Sequence, residues 1–280
     1  MRQRFRDHGL DVVGYDRNLA VSDVADLKML VGSLTPPRIV WVMVPSGAPT
    51  RAVVAELADL LSPGDITVEG GNSHYTEDIE NAAAFVARGL RYVDVGVSGG
   101  IWGLRDGYGL MAGGAPEDIA AVMPLFDALR PDGPREAGFV HAGGVGAGHF
   151  AKMVHNGIEY GLMQAYAEGY ELLTAQHLVT DVAGTLKAWT TGTVVRSWLL
   201  ELLVAALEAD PELGTTADWV ADSGEGRWTV DEAIELAVPV PVISAALFAR
   251  FSSRQGASPA MKAVAALRQQ FGGHAVRPAE

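Results

Sequence analysis

Short apolar runs alternate with helical patterns up to residue 146, and beyond it only helical patterns remain. That change of period constrains the fold more than any other feature of the chain. The runs LDVVGYD (10–16), RIVWVMVP (38–45), DITVEGG (65–71), LRYVDVGVSGG (90–100), YGLMAGG (108–114) and GFVHAGG (138–144) are apolar and end in turn-forming residues, as strands do. Helical patterns lie between several of them, at 21–31, 49–61, 76–88 and 116–129, the last opening on Pro116 and Glu117. Alternation of this kind predicts a mostly parallel, doubly wound α/β sheet. Further helices are predicted at 148–175, 181–189, 194–209, 229–237, 241–252 and 258–271, with a loop over 214–226. The expected organisation is a sheet domain over 1–146 followed by an all-α domain over 147–280, joined at GGVGAGH.

The first helix past that junction carries a polar stripe. In GHFAKMVHNGIEYGLMQ (148–164), Lys152, His155, Asn156 and Glu159 are offset by three, four and seven, which places them on one helical face. Met153, Val154, Ile158, Leu162 and Met163 around them are apolar. Such a stripe is either a solvated face or the wall of a reactive pocket. In a dry pocket, a lysine pushed down to about 7–8 and a glutamate pushed up to about 6–7 suit a reaction that needs both a base and an acid.

Composition narrows the chemistry. The chain has no cysteine, which excludes disulfides, thiolate metal sites and cysteine nucleophiles. Its seven histidines show no pair at metal-ligand spacing, so no metal is expected. A net charge of −13 argues against nucleic acid and anionic membrane as partners. No apolar run reaches membrane-spanning length, and MRQRFRDHG is no signal peptide, so a cytoplasmic location is expected. The charge is uneven: from residue 250 onward there are five basic residues against the single acid Glu280. A cationic tail on an acidic protein suggests a small anionic ligand, with a solvated helix face as the plain alternative.

The segment LDVVGYDRN resembles the second strand of a Rossmann-like dinucleotide-binding fold, with Asp16 as the acid that bonds the adenosine ribose. That acid should follow a Gly-rich phosphate loop by ~20 residues. Counting back from Asp16 places the loop before residue 1, and the chain opens instead in what reads as a first helix closed by Gly9. The expectation is a natural start upstream, a sheet domain truncated of its first strand, and little activity without that loop. The alternative is that Asp16 only caps a turn.

Taken with the stripe, GGNS (70–73), VGVSGG (95–100), GLMAGG (109–114), GRWT (226–229), ALFARFSSR (246–254) and LRQQFGGHAV (267–276) closely resemble the decarboxylating 6-phosphogluconate dehydrogenases, in particular a shorter bacterial branch that uses NAD. The resemblance implies oxidative decarboxylation of 6-phosphogluconate to ribulose 5-phosphate and CO2. It implies Lys152 as general base, Glu159 as the acid that protonates the enediol, and His155 and Asn156 on substrate hydroxyls. Asn72, Ser98, Gly99 and Gly100 would line the substrate from the sheet side, and Tyr160, Arg227, Arg250, Arg268 and His274 would grip its phosphate. Asp16, Arg17, Val44, Pro45, Ser46 and Asn72 would contact the cofactor, with the acid at 16 favouring NAD over NADP. The chain departs from longer relatives at Pro45 and Ser46, where they carry lysine and alanine, and at Arg227, where many carry lysine. His141, His149 and His177 read as structural.

Two rival functions stay open. A 3-hydroxyisobutyrate-type β-hydroxyacid dehydrogenase also follows a Gly-rich turn with lysine and, four residues on, asparagine, but it does not decarboxylate; Glu159 and the Arg268/His274 pair favour the sugar phosphate. A truncated, inactive phosphosugar-binding paralogue is the non-enzymatic rival. The resemblance further implies a homodimer or homotetramer in which Arg268 and His274 complete a neighbour's site.

Overall fold

The computed structural model describes residues 1–176 and 178–277, so His177 and the last three residues lie outside the described ones. The chain divides into two compact units, Met1–Gly157 and Ile158–Glu280.

The first unit opens on α1 (Arg2–Asp7) and turns at Gly9, whose φ of 77° suits glycine. The strand expected at 10–16 does not form. A strand needs a neighbour for its backbone N–H and C=O groups, and no sheet partner for this segment exists among the described residues. Its apolar side chains still pack: Leu10, Val12, Val13 and Tyr15 lie half-buried against the cores. The helix expected at 21–31 starts later, as α2 (Leu27–Ser33), because the Asp26 carboxylate accepts from the Met29 N–H at 2.7 Å and sets the first turn.

The order then continues as β1 (Ile39–Val42), α3 (Ala48–Leu60), β2 (Ile66–Glu69), α4 (Tyr75–Val86), β3 (Arg91–Ser98), α5 (Gly103–Asp106), β4 (Gly109–Gly113), α6 (Pro116–Leu129) and β5 (Phe139–Gly143). The sheet runs β1-β2-β3-β4-β5, parallel except between β3 and β4. The link between β3 and β4 is too short for the dozen or more residues a parallel crossover needs, so β4 returns antiparallel. Alternation along the strands separates two cores: Val68, Val93 and Val95 face Phe5, Val122 and Phe126, while Val40, Val42 and Tyr92 pack with Leu30, Leu57 and Phe85.

On the second of these faces the sheet carries acids. Glu69 on β2 and Asp94 on β3 are register partners, both fully buried, and Asp94 lies opposite Gly113 on β4. Like charges side by side on one face are destabilising unless matched. Asp94 is matched by α7 (Ala147–Ala175): its two carboxylate oxygens accept from the Gly146 and His149 N–H groups at 2.6 and 2.8 Å, satisfying donors that a helix start otherwise leaves open. His149 meets Asp78 of α4 at 2.6 Å through Nδ1, and its Nε2 lies 3.2 Å from the Gly71 carbonyl and 3.8 Å from Glu69. Asp78 also accepts from the Tyr92 hydroxyl at 3.0 Å. Burial opposes a charged imidazole here, but the bond to Asp78 and the nearby Glu69 and Asp94 prevail and push His149 up to about 9. Burial pushes Asp78 up to about 6 against the opposing pull of His149.

The second unit holds the rest of α7, then α8 (Val182–Trp189), α9 (Trp198–Ala209), α10 (Glu225–Glu235), α11 (Pro241–Ser253) and α12 (Pro259–Gly272), with no strand among the described residues. Asp181, Ser197 and Ser258 cap α8, α9 and α12 through their side chains. One core joins Leu186, Leu200, Val204 and Leu207, and a second joins Tyr160, Ala246 and Leu247. Among the described residues no helix is long and apolar enough to cross a membrane.

The histidine–carboxylate cluster has a consequence for stability. His149 is raised in the fold from 6.5 to about 9, so what it contributes is full below pH 6.5 and is lost as pH rises through about 9. Asp78, raised from 3.8 to about 6, acts with the same sign in its own lower window. Denaturant unfolding followed between pH 6.5 and 9.5 is expected to show stability falling with pH, and His149→Gln is expected to flatten that slope.

Candidate active site

Lys152 is 8% exposed, in the second turn of α7. Its amine donates to Asn156 Oδ1 at 2.6 Å, one helical turn on, and Asn156 is equally buried. Burying an amine costs free energy unless it is bonded, and Asn156 supplies an acceptor. The same Asn156 oxygen lies 3.1 Å from His155 Nδ1, and His155 Nε2 lies 3.5 Å from Ser98 Oγ at the end of β3. Four residues singled out in the sequence thus form one polar chain. Gly96 makes the approach possible, because a Cβ there would collide with Lys152 Cβ and the Gly148 carbonyl. Gly99 and Gly100 follow Ser98 with φ of 138° and 52°, turning the backbone in a way other residues resist. Glu159, seven residues past Lys152 on the same helix, is half-buried.

Four of the six residues expected at the cofactor lie just past strand ends. Val44, Pro45 and Ser46 follow β1, and Asn72, exposed, follows β2. Thr50 Oγ1 donates to the Pro45 carbonyl at 2.9 Å and holds the first of these turns. In a doubly wound sheet, ligands bind outside the carboxyl ends of such parallel strands. Asp16 and Arg17 are exposed; the Asp16 carboxylate accepts from the Asn18 N–H at 2.7 Å, so the turn-capping role left open by the sequence is present.

A second polar group gathers around Tyr160, which is 4% exposed. The Arg250 guanidinium stacks 3.5 Å above its ring and donates to the Ala221 carbonyl at 3.0 Å. Arg227 grips Asp222 with two bonds of 2.8 and 3.0 Å, and Arg254 donates to the same carboxylate at 2.8 Å. The Arg227 bonds, and then Arg254, hold Asp222 down at about 2 despite its burial. Arg268 and His274 are not drawn into this group: both are exposed, Arg268 on α12 and His274 just past its left-handed cap, Gly273.

Sequence reasoning passed over Asp222, Arg254 and the acids around His149. Their signals were slight: Asp222 stands five residues before Arg227, Arg254 four after Arg250, and His149 three before Lys152 on one face. Glu69, Asp78 and His149 also bring potential metal-ligand atoms within 4.8 Å of one another. Both ring nitrogens of that histidine already face acceptors, which describes an ion-paired imidazole better than a metal ligand.

Comparison with known proteins places this arrangement. Residues 1–131 match the NAD binding domain of 6-phosphogluconate dehydrogenase, and residues 148–276 match the 6-phosphogluconate dehydrogenase C-terminal domain. A Haloferax volcanii protein named 6-phosphogluconate dehydrogenase, NAD(+)-dependent, decarboxylating, is 41% identical over 98% of this chain and 93% of its own length. A Plasmodium falciparum 6-phosphogluconate dehydrogenase, solved without ligands, with NADP+ and with 6-phosphogluconate, superposes with a TM-score of 0.76 at 26% identity, over 99% of this chain and 58% of that one. A Salmonella typhimurium 3-hydroxyisobutyrate dehydrogenase, at 22% identity over 90% of this chain and 88% of its own, shares the fold with a TM-score of 0.73. By sequence matches that span both units, the chain belongs to the 6-phosphogluconate dehydrogenase family.

Proposed function

We propose that this protein oxidatively decarboxylates 6-phospho-D-gluconate to ribulose 5-phosphate and CO2, reducing NAD. The observation that carries this reading is the buried Lys152 amine, linked through Asn156 and His155 to Ser98, in a chain so similar to an NAD-dependent decarboxylating relative. In this assignment residues 1–146 serve the dinucleotide and residues 147–280 the substrate and assembly.

The cofactor residues fit NAD. Asp16 is an exposed carboxylate past the segment expected to hold the ribose, where an acid accepts a ribose hydroxyl and repels a 2′-phosphate. When bound, NAD supplies the hydride acceptor. Arg17, Val44, Pro45, Ser46 and Asn72 would hold it through the turns after β1 and β2.

The chain's own groups then divide the work. Lys152 takes the proton of the substrate's 3-hydroxyl as hydride departs from C3. The resulting β-keto acid loses its carboxylate as CO2, and the electrons of the broken C–C bond pass into an enediol while the protonated Lys152 donates toward the former ketone oxygen. Glu159 delivers a proton to C1 of that enediol while Lys152 takes back the proton of the adjacent hydroxyl, which completes ribulose 5-phosphate. His155 and Asn156 hold hydroxyls, and Ser98, Gly99 and Gly100 line the sugar from the end of β3. The phosphate, carrying about −1.5 to −2, needs cations. Tyr160, Arg227 and Arg250 supply a prepared set, with Arg268 and His274 joining from the tail. We place the protein in the cytoplasm as a homodimer or homotetramer, and assign Arg268 and His274 to a neighbouring subunit's site.

Incubation of protein that carries the Gly-rich phosphate loop expected ahead of Asp16 with 6-phosphogluconate and NAD is expected to give NADH and CO2 in equal amounts; NADH without CO2 would instead indicate a β-hydroxyacid dehydrogenase, and sugar binding without turnover an inactive paralogue. Lys152→Met and Glu159→Gln should each lower kcat by ~10²–10⁴-fold, the range for loss of a general base or acid. Chains carrying Arg268→Ala and chains carrying Lys152→Ala, each inactive alone, are expected to regain part of the activity when dissociated and reassembled together; no recovery would place the tail in its own chain's site.

A further inference from the structure

His149 lies outside the group assigned to the chemistry, yet it bonds to both segments that would present that chemistry. We propose that His149 is a positioning residue for the reaction, its ring tying the turn that carries Asn72 to the first turn of α7, one turn before Lys152. The inference rests on the function proposed above.

The tie has two ends. At the sheet end, Nε2 faces the Gly71 carbonyl at 3.2 Å. That carbonyl belongs to the peptide unit joining Gly71 to Asn72, and a peptide is planar, so fixing its oxygen fixes the direction in which the chain enters Asn72. The Gly71 N–H is held as well, by Glu69 Oε1 at 2.8 Å, so the peptide units on both sides of Gly71 are anchored from inside the protein. At the helix end, the His149 N–H is held by Asp94 at 2.8 Å, and Lys152 stands three residues on, over the same face. The Lys152 stem packs directly against β3 at Gly96, in the space that a Cβ there would take. A shift of the first turn of α7 would therefore be passed to the lysine amine.

The ring itself cannot drift. It is 2% exposed, and Nδ1 is bound to Asp78 at 2.6 Å in the first turn of α4, the helix that follows the Asn72 turn. The titratable groups facing it are Glu69 from β2, Asp78 from α4, and Asp94 from β3, with the Tyr92 hydroxyl of β3 on the far side of Asp78. Only a ring protonated on both nitrogens can donate to Asp78 and to Gly71 together. Between pH 6 and 9 the elevated His149 and the ionised Asp78 meet that requirement. Above it one of the two bonds loses its proton, and the tie opens without any change at Lys152 itself.

The test compares wild-type enzyme with His149→Gln and His149→Asn. Glutamine can reach the Nε2 position and keep the donation to Gly71, while asparagine reaches only the Nδ1 position and loses it. Two measurements are made on each folded protein: hydrogen exchange of the amides at 71–73, and kcat and KM for 6-phosphogluconate from pH 6 to 10. His149→Asn is expected to exchange faster at 71–73 and to lose about 10²-fold in kcat, the effect of a displacement near 1 Å, with the wild-type decline above pH 9 flattened. His149→Gln is expected to recover most of the protection and of kcat. Unchanged exchange in His149→Asn overturns the tie, as does faster exchange with unaltered kcat, KM and pH profile, which would make the histidine structural alone. If the wild-type enzyme forms no NADH from 6-phosphogluconate, the proposed function fails by itself, and exchange at 71–73 still decides whether His149 holds that turn.

Discussion

Three carboxyl groups and one imidazole share the buried volume behind the carboxyl ends of β2 and β3, and the placement of α7 on the sheet follows from how they are satisfied. Each would be costly alone in a low-dielectric interior. Each is instead answered by a different part of the chain: Asp94 by the opening N–H groups of α7, Asp78 by Tyr92 and His149, Glu69 by the Gly71 N–H. The bonds cross between α4, α7 and two strands, so the cluster acts as a polar rivet in an otherwise apolar layer. One oxygen, Glu69 Oε2, has no hydrogen-bond partner among the described residues and faces the histidine from 3.8 Å. That orphan atom makes a positively charged ring worth more here than a neutral one.

The sequence announced most of the architecture because the elements are locally consistent. Strands β1 to β5 fall inside the runs expected for them, and α3, α4, α6 to α9, α11 and α12 within a few residues of their patterns, while α10 opens at Glu225, inside the loop expected over 214–226. The exceptions have physical causes. Residues 10–16 have a strand's composition, but composition does not supply a neighbour, and pairing is what makes a strand. At α2, the cap at Asp26 outweighed an apolar pattern that starts earlier. The antiparallel return of β4 was not foreseen, since alternating elements read the same whether a link is a crossover or a tight return.

The candidate site was legible to a different degree at each end. Lys152, His155 and Asn156 announce themselves because helical spacing alone puts them on one face, and the structure adds Ser98. The acids that hold that face are invisible to any local pattern: Glu69, Asp78 and Asp94 sit 80, 71 and 55 positions before His149 and meet it only through the fold. The arginine group shows the same limit in reverse. Arg227 and Arg250 were readable as cations, but not that the Asp222 carboxylate would hold the guanidinium groups of both Arg227 and Arg254 in place.

The smallest part of the site is a hydrogen atom. At Gly96 the side chain is nothing more, and the stem of Lys152 lies in the space a methyl group would occupy. The path of the Lys152 stem therefore depends on a position that carries no functional group and neither donates nor accepts through a side chain. Chemical intuition would look past such a residue, yet an alanine there would displace the Lys152 stem although no polar atom had been removed. In this protein emptiness at one strand residue seats a buried lysine, and is as specific in its shape as any side chain around it.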